Sequence, residues 1–223
     1  MSDKNASEEE AREPVLEPVD RVSEMLFGLF MALTFVGAVS VATAGREEIR
    51  TMLVTALGCN LAWGLVDAVM YVVRTVTERG RSVMLVQSVR ATADAGTGRK
   101  LIEQSLSPIV PGLVSSAEIE AIRARLVALP SVPQKPHLNR DDLLAALAIF
   151  LIVVAATFPV VLPFVLIGDV GTAKLVSRGV ALAMLFFGGM ALGRYAGYGG
   201  WKAGFIMVAL GTVLVAAIMA LGG

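Results

Sequence analysis

Five residues in the first third of the chain carry the chemistry this sequence could do: Glu24, Met31, Asn60, Asp67 and Met70. Asp67 stands inside LGCNLAWGLVDAVMYVV, residues 57–73, a run otherwise apolar enough to cross a bilayer. A charged side chain at bilayer depth costs on the order of 2.5–3.5 kcal/mol on insertion scales, so it calls for a partner, a wet cavity or a ligand. Asn60 lies two helical turns before Asp67 on the same face, with Trp63 and Gly64 between them on that stripe. Gly64 would let a neighbouring helix approach closely. Met70 follows Asp67 by one turn, close to the stripe. In RVSEMLFGLFM, Glu24 and Met31 share one side of a helix, with Glu24 near its start. Carboxylates and an amide supply hard oxygen ligands, and thioethers add soft sulfur. That mixture suits Fe²⁺ or Mn²⁺ in transit. The plainer readings are that Asp67 pairs with Arg21, Arg178 or Arg194, that Glu24 reaches interfacial water, and that the methionines only pack.

The elements that must position these residues follow from composition. Of 223 residues, 56% are hydrophobic, and the mean hydropathy is +0.72. A soluble domain of this length could not bury so many apolar side chains, so the excess must face lipid. The formal net charge is zero, which gives no basic field for nucleic acid. The single cysteine, Cys59, excludes an intrachain disulfide and reads as packing. Residues 1–20 are acidic and proline-punctuated, read as a mobile tail, and lack the basic start and apolar core of a signal peptide. There is no nucleophile–base pair, histidine cluster or nucleotide loop, so the chain is not expected to be an enzyme or to hold a cofactor.

A span needs about 20 mostly apolar residues. Five runs qualify, at about residues 22–44, 49–73, 143–167, 172–196 and 201–221. The expected architecture is therefore an all-α polytopic membrane protein. Residues 21–73 hold two spans, 74–141 form a small helical insert, and 142–223 hold three more. The insert carries most of the basic residues, among them Arg74, Arg79, Arg81, Arg90, Arg99, Lys100, Arg123, Arg125, Lys135 and Arg140. Positive charge near span ends marks the cytoplasmic side. The N-terminus and residues 74–141 are thus expected in the cytosol and the C-terminus outside.

Within the insert, Ser115 stands three residues before Glu118, the spacing of a capping box. Ile119, Ile122, Leu126 and Leu129 then fall on one helical face. RSVMLVQSVRATAD is a second amphipathic helix, expected to end at AGTG, and ALPSVPQKPHLNRDD is an extended link to the third span. His137, the only histidine, lies in that link. GTGRK lacks the glycine spacing and the trailing hydroxyl of a phosphate loop. In the fourth span, Gly189, Gly193 and Gly197 form a side-chain-free ridge for helix packing.

Two spans, a helical insert and three spans make an arrangement that resembles the vacuolar iron transporter family. LLAALAIFLIVVAATFPVVLPFVL, with Pro159 and Pro163, looks like that family's third span. ALAMLFFGGMALGRYAGYGGWKAGFIMVALGTVLVAAIMALGG looks like its last two, and SEMLFGLFMAL and ALGCNLAWGLVDAVMY like divergent forms of its first two. The likeness covers roughly residues 21–77 and 142–223. It implies a divergent, bacterial-type member in the inner membrane: a homodimer whose ion path lies between the first two helices of each protomer. It also implies export of Fe²⁺ or Mn²⁺ from the cytosol in exchange for protons, the metal being cargo. Phe30 and Met31 stand where the family's first span has a polar pair, and Asp67 and Met70-Tyr71 occupy the second-span motif in altered order. The insert's Glu78, Glu103, Glu118 and Glu120 include no Glu-x-x-Glu pair, so it is expected to bind metal weakly or not at all. The alternative from a different class is a non-transporting membrane adaptor whose insert binds a protein partner.

Overall fold

The computed structural model describes residues 16–41, 46–106, 114–132, 134–197 and 199–221, with the side chains of residues 38–49 and 52 excepted. Most of the expected N-terminal tail, residues 1–20, lies outside them. The described residues contain seven helices: α1 (Pro18–Val41), α2 (Arg46–Ala91), α3 (Ala95–Ser105), α4 (Ser116–Ala128), α5 (Arg140–Leu166), α6 (Val170–Tyr195) and α7 (Gly200–Ala220). No strand occurs among the described residues.

Among the described residues, four helices are long and apolar enough to cross a membrane: α2 from Leu53, α5, α6 and α7. The sequence led to five. The fifth, expected at about residues 22–44, is not confirmed: it corresponds to α1, whose side chains are described only as far as Gly37. The second expected span also differs at its far end: the helix does not stop at Val73 but continues to Ala91, because no glycine–proline break or strong cap interrupts TVTERGRSVMLVQSVRA.

The chain divides into two compact units, one made of the described residues to Met70 and from Asp141 on, the other of Tyr71–Arg140. In the first, Leu29, Leu33 and Val36 of α1 pack with Ala156 and Val160 of α5 and Ala181 and Leu185 of α6, and Met207 and Val215 of α7 close over them. Small residues let the backbones approach. A Cβ on Gly28 would lie 2.7 Å from the Val153 carbonyl oxygen, and one on Gly211 would lie 2.6 Å from Leu185. Of the glycine ridge expected on the fourth span, Gly189 and Gly193 do face α7, at Met207 and Ala203. Gly197 does not; it follows the helix with φ of +75°, a left-handed conformation that ends α6 instead of packing it. Large apolar side chains such as Leu151, Val165, Leu175, Phe187, Phe205 and Val213 point outward, as lipid-facing surfaces require.

The unit Tyr71–Arg140 builds its own core from Val89 of α2, Ile102 of α3 and Ile119 of α4, with Leu85, Leu101 and Leu126 around them. AGTG begins α3 and ends nothing: the Asp94 side chain caps the helix by accepting from the Gly96 and Thr97 amides. The Ser115–Glu118 capping box forms in full at the start of α4. Along α4, Ile119 is buried, whereas Ile122 and Leu129 are exposed. His137 is exposed, and its carbonyl accepts a hydrogen bond from Arg79 Nη1 at 2.7 Å.

Candidate functional site

Asn60 is the most deeply placed of the five candidate residues, at 1% exposure. It belongs to a ridge of α2 formed by Leu53, Ala56, Asn60, Gly64 and Ala68, all buried. Its Nδ2 donates to the Val153 carbonyl at 3.3 Å and to Thr157 Oγ1 at 3.2 Å. Thr157 Oγ1 in turn donates to the Val154 carbonyl at 2.7 Å. With the threonine proton committed there, only the amide nitrogen of Asn60 can face Thr157, and this fixes the orientation of the side chain. Its Oδ1 is buried without a hydrogen-bond partner.

Asp67 sits at the edge of the same ridge. Gly64 and Ala68 beside it are buried, whereas Trp63, Val66 and Met70 are exposed. Its Oδ2 is buried and has no hydrogen-bond partner. None of the three arginines considered as partners neutralises it. Arg21 donates to the Leu16 carbonyl at 3.0 and 2.8 Å, Arg178 Nη2 reaches Met219 Sδ at 3.6 Å, and Arg194 is exposed. Among the described residues the ion pairs shown are those of Glu120 with Arg123 and Arg99 in the other unit.

Glu24 and Asp67 stand at a common level. Asn60 meets Thr157 and Gly64 meets Phe150, so α2 runs antiparallel to α5. Gly28 meets Val153, and Ala32 and Val36 share a narrow seam with Thr157 and Val161, so α1 runs parallel to α5. Glu24 precedes Gly28 by one turn, and Asp67 follows Gly64 by one turn. Both carboxylates therefore lie about one turn from Val153, toward the N-terminal end of α5. No hydrogen bond joins them, and among the described residues no three His, Cys, Asp or Glu side chains converge on a point that could hold a metal. Met31 is half-buried, and Met70 is 48% exposed. Cys59, expected to pack, is exposed.

Thr157 was not among the residues singled out from sequence. A signal for it exists: past Asp142, it is the one polar side chain in the whole of α5, and a lone hydroxyl on an apolar helix commonly bonds across to a neighbour. The chain matches no protein-family model, and no curated protein matches it in sequence.

Proposed function

We propose that this is a membrane transporter of a divalent transition metal, Fe²⁺ or Mn²⁺, moved out of the cytosol in exchange for protons. The observation that carries the proposal is Asp67: a carboxylate in a helix apolar enough to span a membrane, with one oxygen buried and unpartnered among the described residues. An acid at that depth is expensive, and such residues typically mark ion or proton pathways. Support comes also from Glu24 at the same level along α5, and from the residue-level likeness of the spans to vacuolar iron transporters. In this reading α1 is a fifth span, the N-terminus and residues 74–141 face the cytosol, and the protein resides in a bacterial inner membrane.

Glu24 would attract cations near the cytoplasmic mouth. Asp67 would bind either the metal or a proton, never both, and this exclusion couples the two fluxes. Asn60 would contribute its Oδ1, since its amide nitrogen is already bound to α5. The donor set within one chain is sparse. The exposed face of α2 that carries Trp63 and Met70 is where a second protomer would complete it, with Met31 and Met70 adding sulfur.

The test is uptake into proteoliposomes across Fe²⁺, Mn²⁺, Co²⁺, Zn²⁺ and Ca²⁺, with internal pH recorded. Metal-dependent proton movement by the parent protein, lost in Asp67→Asn, is the expected result. No flux of any of these metals would overturn the transport reading. It would leave the adaptor reading, which the separate apolar core of Tyr71–Arg140 favours.

A further inference from the structure

At the end of the first unit where α2 begins, α5 ends and α6 begins, the helices part around a cleft of about 540 Å³. Its floor is Leu53 of α2, packed against Val161, Phe164 and Val170. Every side chain lining the cleft is apolar except that of Arg50, which is exposed. Arg50 is the last charged residue before the apolar run that leads into Leu53, and the cleft also takes in Ile167 and Gly168, just past the end of α5. With these helices in a bilayer, the apolar walls would lie in hydrocarbon near its edge and the guanidinium toward the headgroups.

We propose that this cleft binds an anionic phospholipid, with an acyl chain against Leu53, Leu57 and Phe164 and its phosphate at Arg50. The volume lies within the range of about 300–1,000 Å³ typical of small-molecule sites. The walls offer an acyl chain close contact and offer a free anion nothing, because they provide no second polar side chain. The guanidinium fork matches the oxygens of a phosphate. A basic residue beside a crevice between membrane helices is a recurring mode of headgroup recognition. The inference requires only that these helices lie in a membrane, and it stands whether or not the protein transports metal.

Native mass spectrometry of the full-length protein, released from detergent with phosphatidylglycerol or phosphatidylcholine of matched acyl chains, tests this directly. The anionic lipid should be retained about fivefold more than the zwitterionic one, as expected for one basic residue near a membrane surface. Arg50→Gln should bring the two lipids to parity, and Arg50→Lys should restore part of the preference. Val165→Trp, at an exposed position lining the cleft, should reduce retention of both lipids. Thermal unfolding of each variant, unchanged from the parent, would show that the fold is intact. Equal retention of both lipids by the parent, or an Arg50→Gln protein that keeps the preference, would overturn the proposal. So would displacement of the bound lipid by inorganic phosphate at matched concentration, which would mark a simple anion site.

Discussion

Three acids of the unit Tyr71–Arg140 and Asp67 of the unit that carries the apolar helices are held in opposite ways. In the first, Glu118 accepts from the Ser115 hydroxyl and backbone amide, Asp94 caps α3, and Glu120 holds Arg123 at 2.6 Å. These bonds hold all three carboxyls below the usual carboxylate range: the Thr97 hydroxyl acts first at Asp94, the Ser115 hydroxyl at Glu118 and the Arg123 guanidinium at Glu120. In the second, Asp67 Oδ2 and Asn60 Oδ1 are buried with no partner. Water would have made an unpartnered carboxylate cheap at these exposed positions, yet all three are bonded, as is Asp169 to Thr172 at the exposed start of α6. Within the apolar run of α2, where a bond is most valuable, the Asp67 oxygen has none. The orphan oxygens are thus set apart from structural need, and this makes them candidates for a ligand.

The sharpest way to break this comparison is Asp67→Asn. The variant keeps size and hydrogen-bonding capacity but loses charge and titration. If Asp67 serves a ligand, the variant inserts and melts like the parent, while flux falls at least tenfold and proton coupling disappears. If the carboxylate neutralises a buried cation, the variant melts early instead, because an uncompensated buried charge costs about 3–5 kcal/mol. Full transport by a stable Asp67→Asn protein would dissolve the contrast between the units. Glu24→Gln should have a milder effect, because Glu24 has an interaction of its own within the chain, whereas Asp67 Oδ2 has no partner.

A second test asks whether the apolar unit is held by packing and not by polar bonds. A Cβ on Gly193 would collide with that of Ala203 and lie 3.0 Å from the Gly199 carbonyl oxygen. Gly193→Leu should therefore destabilise the α6–α7 pair by at least the ~1–3 kcal/mol of ordinary overpacking, measured as thermal unfolding in detergent. Gly58 of α2 has open space around it, so Gly58→Ala should be neutral or slightly stabilising. Equal melting of the two variants would remove the case for close backbone contact.

What could be read from the sequence was the set of segments long enough to obey local rules. Apolar runs gave α5, α6 and α7 within a few residues, and the Ser115–Glu118 spacing gave α4 its start. Tertiary placement could not be read that way. Asn60 and Asp67 share a periodic stripe, but only the presence of α5 decides that Asn60 turns inward to Val153 and Thr157 while Trp63, on the same stripe, is 48% exposed. Asp94 was hidden for a local reason: it follows a helical pattern and precedes glycines, which look like a stop until the cap to Gly96 and Thr97 is seen.

Thr157→Val sharpens the comparison from within the apolar unit. The substitution keeps the shape and removes the hydroxyl that Asn60 Nδ2 reaches at 3.2 Å. Asn60 retains the Val153 carbonyl, so the loss should be one ordinary hydrogen bond, about 1 kcal/mol, visible as a small drop in melting temperature. Transport should survive. A loss of flux as large as that of Asp67→Asn, at unchanged stability, would show that Thr157 belongs to the ion path and does more than position Asn60.

The smallest expected effect lies in the exposed unit, and its sign follows from the capping box. Glu118 is held below its ordinary value by the Ser115 hydroxyl first and by the Ser115 amide second. A carboxyl whose folded value is depressed stabilises the fold fully above its unfolded value and loses that contribution as pH falls through the folded one. The cap should thus be intact at neutral pH and fail only below about pH 4, near the ordinary glutamate value. Ser115→Ala removes the acceptor for the Glu118 amide and one donor to the Glu118 carboxylate, at a typical cost of about 1 kcal/mol. Hydrogen exchange of the first turn of α4 in the full-length protein reads both quantities. Exchange there should accelerate about fivefold at pH 7 in the variant, and the fall of its protection factor on acidification should be shallower than in the parent. Ile102 and Val89, buried in the core of the unit, should keep their protection in both proteins, since α4 retains Ile119 against them. Loss of protection across the whole unit would mean that the cap supports the core as well as the helix end.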